Sequence, residues 1–125
     1  NKVDDNHYIS MNGSEVYKVA VRSMTKSCKK ALADAGLTIN DVNLLVPHQA
    51  NKRIIQAVGK KLGLNEDKVF LNVQKYGNTS AASIPIALCE AVEQGLIKDN
   101  DNIVFVAFGA GLSWGASVLK WGTGR

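Results

Sequence analysis

The sequence has no long hydrophobic run, few cysteines and little net charge, and each shortage excludes a class of protein. No apolar stretch approaches the ~20 residues needed to cross a bilayer, and even Ile103–Ala107 is soon met by Gly109 and Gly111. The opening Asn1-Lys2-Val3-Asp4-Asp5-Asn6-His7 has neither a basic nor an apolar signal region, so a polar loop, no export and a cytoplasmic location are expected. The two cysteines, Cys28 and Cys89, lie far apart, make no metal-ligand spacing and are too few for a disulfide scaffold, which implies a reducing compartment. Both fall in helical stretches among apolar neighbours and read as inert packing thiols. Fifteen Lys+Arg against 11 Asp+Glu give a net charge of +4, enough to allow an acidic partner and too little to imply nucleic acid. What remains, 125 residues at 46% hydrophobic and 21% charged, is the profile of one ordinary globular domain.

Apolar residues at Tyr17, Val21, Met24, Cys28, Ala31, Leu32 and Ala35 have the three-four spacing of an amphipathic helix over 14–35, with Gly36 placed to end it. Leu44-Leu45-Val46, bounded by polar residues, predicts a short buried strand that delivers Pro47-His48-Gln49-Ala50-Asn51. A second helix is expected from Asn51 to about Leu62, with Ile54, Ile55, Val58 and Leu62 on one face and Gly63 as its stop. Residues 69–73 read as another strand, the Gly77-Asn78 turn follows, and a helix is expected over 82–94 with Ile84, Ala87, Leu88 and Ala91 as its stripe. Pro85 is tolerable in that helix's first turn, where a missing N–H costs little. The run Ile103–Phe108 predicts a buried strand and 117–121 a last one, so the order α-β-α-β-α-β-β suggests a layered α/β domain.

Three polar turns then stand at the ends of presumed buried strands: His48, Asn78 and the glycine-rich Gly109–Gly115 stretch. In open α/β sheets the crevice outside the carboxyl ends of the strands is where ligands bind. A neutral His and an Asn pointing into one pocket would offer two N–H donors, which is equipment for holding an oxyanion or enolate. Equally, His48 can be a hydrogen-bonded core histidine and Asn78 a residue that merely tolerates left-handed backbone. The glycine-rich stretch leads into a strand, not a helix, and so does not fit a phosphate-cradling loop; it suits either close approach of backbone N–H groups to a carbonyl or a tight hairpin. The second helix carries Lys52, Arg53, Lys60 and Lys61 with no acid between His48 and Asn65, which is either a solvated face or a docking patch for an acidic partner.

Leu45-Val46-Pro47-His48-Gln49-Ala50-Asn51, Tyr76-Gly77-Asn78-Thr79-Ser80-Ala81-Ala82-Ser83 and Phe108-Gly109-Ala110-Gly111-Leu112-Ser113-Trp114-Gly115 closely resemble the β-ketoacyl-acyl-carrier-protein synthase III family of the thiolase superfamily, over nearly the whole chain from Met11 onward. The resemblance implies a thiolase-like α/β fold of two similar halves, with residues 1–125 as the C-terminal one. That half is a layered α-β-α unit whose mixed five-stranded sheet has its first, central strand before Asn1, so the chain is expected to fold only with the N-terminal half. The family is an acyltransferase: a cysteine of the absent half is acylated by acyl-CoA, and malonyl-acyl-carrier protein is decarboxylated and joined to the acyl group.

On this resemblance His48 and Asn78 are the catalytic donors to the malonyl thioester oxygen, and the Ala110 backbone N–H, where glycine is frequent in the family, belongs to an oxyanion hole. Arg53, Lys60 and Lys61 dock the acidic carrier protein, and Gly13, Ala50 and Asn51 line the tunnel for coenzyme A or pantetheine. Expected partners are the N-terminal half, the acyl carrier protein and a second copy in a homodimer, with no membrane, nucleic acid, metal or resident cofactor; coenzyme A and phosphopantetheine enter as substrate groups. A condensing enzyme of polyketide biosynthesis and a non-catalytic carrier-binding fragment are the alternatives.

Overall fold

Asn12 opens the first helix by accepting the Glu15 N–H on its Oδ1 at 3.4 Å. The computed structural model describes residues 12–122, so the expected polar loop before them and Met11 lie outside the described residues. From that cap α1 runs over Gly13–Asp34 and buries Val21, Met24, Cys28 and Leu32, four of the positions its spacing predicts. It stops where expected. Gly36 takes φ +69, and the N–H groups of Gly36 and Leu37 donate to the Ala33 and Leu32 carbonyls at 3.0 and 2.8 Å, a left-handed ending that a Cβ would strain.

The first strand, β1, is Leu44–Pro47 and is buried throughout. It pairs in parallel with β2, Asn102–Gly109, which turns into antiparallel β3, Ser113–Lys120. Between β1 and β2 come α2 (Lys52–Leu62), the one-turn α3 (Val73–Tyr76) and α4 (Ser83–Glu93). Strand alternation splits the apolar residues into two layers. Leu45, Val104 and Val106 pack with Val21, Met24 and Cys28 of α1 and Val58 of α2 on one face. Leu44, Val46 and Ile103 pack with Phe70 and with Ala87 and Ala91 of α4 on the other. Both faces of β1 are therefore covered, which is why its sequence is continuously apolar, and each fully buried Val or Leu contributes about 1.5–3 kcal/mol.

The structure departs from the sequence expectations in four places. The sheet has three strands among the described residues, in the order β1-β2-β3, and no gap at its centre. Leu44 to Pro47 face Ile103 to Val106 directly, while Val69 bridges to Leu45 on the other side, so both edges of β1 are engaged. The expected missing central strand is thus a correction: among the described residues the α4 crossover brings β2 straight against β1.

Residues 69–73 do not form a strand beyond that single bridge. After Phe70 donates its N–H to the Leu45 carbonyl at 2.9 Å, the N–H groups of Asn72 and Val73 turn to the Gln49 side chain, and α3 begins. The last strand starts at Ser113, not residue 117, because Gly109 pairs with Ser113 and the hairpin is correspondingly tight. Cys89 is exposed on α4 and not a core thiol, whereas Cys28 is fully buried and its thiol is pushed up to about 12 by burial. The α4 stripe that buries Ala87, Glu90 and Ala91 turns residue 89 outward.

Candidate active site

β1 ends at Pro47, and the next residue, His48, still belongs to the ladder: its N–H donates to the Val106 carbonyl at 2.7 Å. Its own carbonyl accepts the Ala50 N–H at 2.9 Å, which closes a tight turn. The His48 imidazole is half-buried, and that desolvation lowers its pKa below the ordinary 6.5. A histidine in this state is neutral at physiological pH, with one ring N–H to donate.

Asn78 follows α3 and Gly77, whose φ of +70 and ψ of −162 turn the chain sharply. It is exposed, and its Oδ1 accepts the Ser80 N–H at 3.1 Å. That bond engages Oδ1 and leaves Nδ2 without a hydrogen-bond partner among the described residues. Ser80, held at φ +52, leads through a short 3-10 turn into α4.

The segments bearing His48 and Asn78 are joined by a buried polar network. Of the six buried polar residues among those described, four lie here: Gln49, Asn72, Ser83 and Glu90. Gln49 donates its backbone N–H to Ser83 Oγ at 2.6 Å and through Oε1 accepts the Asn72 N–H at 2.8 Å. Asn72 Nδ2 donates to Glu90 Oε2 at 2.9 Å, and Tyr76 Oη donates to Glu90 Oε1 at 2.8 Å. Lys75 pairs with the same carboxylate. Bonds from Lys75, Asn72 and Tyr76 hold the Glu90 carboxyl down at about 2. Neither Gln49 nor Glu90 was singled out by the sequence reading. The available signal was a charged residue one position before Ala91, on the very stripe expected to be apolar.

The third turn lies at the carboxyl end of β2. Ala110 is exposed there, between Gly109 and a Gly111 at φ +71, and Phe108 stacks on Trp114 across the hairpin with ring centroids 6.4 Å apart. Since β1 and β2 are parallel and Pro47 faces Val106, the His48 turn and the Ala110 turn leave the same edge of the sheet.

The basic residues sit on a neighbouring surface. Asn51 caps α2, its Oδ1 accepting the N–H groups of Arg53 at 2.9 Å and Ile54 at 3.3 Å, so this expected tunnel residue also has a structural task. Ala50 beside it is half-buried, and Gly13 is the exposed first residue of α1. The Arg53 guanidinium lies 5.5 Å from the centre of the Tyr17 ring. Lys60 and Lys61 occupy the last turn of α2, where cations suit the helix dipole. A groove of about 680 Å³ between α1 and α2 is lined by Lys60 and Lys61 and also by Lys18 and Arg22. Those two α1 cations were not flagged from the sequence, because only the packing of α1 on α2 brings them beside the α2 lysines.

With this geometry in place, the family 3-oxoacyl-[acyl-carrier-protein (ACP)] synthase III C terminal matches residues 32–121. The chain belongs to this family. It is 54% identical over 117 residues to the β-ketoacyl-[acyl-carrier-protein] synthase III of Clostridium tetani, covering 94% of this chain and 35% of that protein. Among solved structures, 3-oxoacyl-[acyl-carrier-protein] synthase III from Aquifex aeolicus VF5 superposes with a TM-score of 0.89 at 53% identity, over 95% of this chain and 39% of that one. The priming β-ketosynthase from the R1128 polyketide biosynthetic pathway superposes with a TM-score of 0.81 at 37% identity, over 89% of this chain and 34% of that one. The chain therefore spans about a third of the length of the relatives it matches, and its fold is thiolase-like.

Proposed function

We propose that the protein carrying this chain is an acyltransferase that condenses an acyl-CoA starter, acetyl-CoA in the simplest case, with malonyl-acyl-carrier protein. The product is 3-oxoacyl-acyl-carrier protein, and the step initiates fatty acid biosynthesis. A cysteine outside this chain takes the acyl group. In the malonyl thioester the bond between the methylene and the carboxylate breaks, carbon dioxide leaves, and the electron pair remains as an enolate. The enolate carbon attacks the acyl carbonyl and the cysteine thiolate departs. The His48 ring N–H and Asn78 Nδ2 donate to the thioester oxygen as it becomes negative, which stabilises the transition state more than the ground state. The Ala110 N–H does the same for the acyl-cysteine oxygen.

Arg53, Lys60 and Lys61 steer and dock the acidic carrier, whose pantetheine passes Gly13, Ala50 and Asn51. The same proposal includes a homodimeric enzyme acting in the cytoplasm; no helix among the described residues is long and apolar enough to cross a membrane.

The observation that supports this reading best is the pairing of a neutral, half-buried His48 with an Asn78 whose Oδ1 is engaged and Nδ2 open, on segments hydrogen-bonded to each other, in a chain of this family. The test is direct. Full-length protein supplied with acyl-CoA and malonyl-acyl-carrier protein should release carbon dioxide and form the 3-oxoacyl carrier; acyl exchange without carbon dioxide release would refute the reading. A priming ketosynthase of polyketide assembly is the second reading, favoured by the 37% identity to the R1128 enzyme. Competition between acetyl-CoA and longer acyl-CoA starters separates the two.

A further inference from the structure

We infer that Gln49 is a positioning residue that sets the separation between the His48 turn and the Asn78 segment; this rests on the proposed decarboxylation at those two side chains. Gln49 is 1% exposed, and its carboxamide makes every hydrogen bond available to it. Nε2 donates to the carbonyls of Pro47 at 2.9 Å and Phe70 at 3.2 Å, and Oε1 accepts the N–H groups of Asn72 at 2.8 Å and Val73 at 3.1 Å.

The position of these bonds matters more than their number. The two chain segments meet in a parallel ladder only at Leu45 and Val69, with the Phe70 N–H on the Leu45 carbonyl. Beyond that point they diverge, and backbone no longer reaches backbone. The Gln49 side chain fills the gap, so it acts as a spacer of fixed length between the end of β1 and the start of α3. Its backbone N–H on Ser83 Oγ ties the same turn to the first residue of α4.

His48 precedes Gln49 by one residue. Asn78 lies two residues past Tyr76, the end of an α3 that is held on its far side by Glu90. The divergence held open by Gln49 is thus the divergence between the two donors. Burying an amide is costly. Its cost is met only because four backbone groups that would otherwise be orphaned are satisfied by it.

A spacer is tested by its length and by its donor. In the full-length protein, Gln49→Asn keeps the carboxamide but shortens it by one methylene, and Gln49→Glu keeps the length but loses the donors. Both should lower kcat for carbon dioxide release from malonyl-acyl-carrier protein by about 100-fold, the scale of a misplaced catalytic geometry. The KM for the carrier and the rate of cysteine acylation by acyl-CoA should stay at parental values. Gln49→Glu should regain part of its activity as the pH is lowered, because a protonated carboxyl restores one donor, and Gln49→Asn should not.

Equal losses in acylation and decarboxylation, or parental decarboxylation in both variants, would overturn the inference. If neither variant folds, Ser83→Ala decides: it removes only the acceptor for the Gln49 N–H and should slow decarboxylation selectively, while parental decarboxylation in it would overturn the inference. His48→Ala serves as the control for the underlying reading. If it retains decarboxylation, that reading fails; if it loses decarboxylation while the Gln49 variants keep theirs, only the spacer fails.

Discussion

The His48 N–H donates to the Val106 carbonyl at 2.7 Å, so the residue proposed as the first donor is held among the described residues by its backbone and not by its ring. Replacing the side chain leaves that bond in place. His48→Ala should therefore keep the turn while removing the donor, and Asn78→Ala likewise leaves α3 anchored through Tyr76 and Glu90. Each is expected to slow decarboxylation about 10²–10³-fold, the effect of losing one oxyanion donor. Acylation of the enzyme by acyl-CoA, followed by intact mass, should be unchanged. Equal loss of both half-reactions would mean the residues serve the fold.

Arg53 lines a second groove along α2 together with Lys60 and Glu66, and its charge meets no acid within ion-pair distance among the described residues. Arg53→Glu should raise the KM for the carrier protein at low ionic strength, flatten its salt dependence and leave kcat near the parental value. Steady-state kinetics at two salt concentrations provide the check. An unaltered KM at low salt would remove Arg53 from the docking surface.

Gly59 lies on the buried side of α2, and a Cβ there would come within 2.7 Å of Val69 Cγ2. Gly59→Ala gains helix propensity but overpacks this contact, for a net loss of about 1–3 kcal/mol. Urea unfolding of the parent and the variant measures it. Adding Val69→Ala, which removes the opposing methyls, should return part of the loss, and additivity of the two single effects would show that they do not touch.

Glu90 has its carboxyl pKa moved from the ordinary 4.5 to about 2, chiefly by Lys75 and then by Asn72 and Tyr76. A carboxyl depressed on folding adds stability above its unfolded pKa and loses it as the pH falls through the folded one. The window is thus from about pH 4.5 down to about pH 2. Thermal midpoints across that window should fall more steeply for the parent than for Glu90→Gln, which has no proton to take up. Parallel curves would show that the network does not hold the carboxylate in solution.

The helices were legible from the sequence because each has an apolar stripe with its own stop: Gly36 and Gly63 both take left-handed φ where they end α1 and α2. His48, Asn78 and Ala110 were legible as turns, since each follows an apolar run. Residues 69–73 were not, because a mostly apolar run looks the same whether its N–H groups meet a strand or, as here, the Gln49 carboxamide. Strand order was misjudged for a related reason. Parallel neighbours share no local signal, and only long-range register shows that Leu44 faces Ile103. Gln49 is recognisable only by its partners, whereas Glu90 stands out in the sequence as a charge on the apolar stripe of α4.

The pairing of β1 with β2 also has a kinetic side. Asn43 and Asn102, which flank its start and share a hydrogen bond, are 59 residues apart, whereas β2 and β3 meet across a tight hairpin. A hairpin closes in about 1–10 μs, but a parallel contact of such separation must wait for the intervening helices to fold back. The bond from His48 to Val106 belongs to the long-range pairing, so it is expected to form after the hairpin at Ala110. The end of the sheet that bears the proposed donors is therefore expected to assemble late.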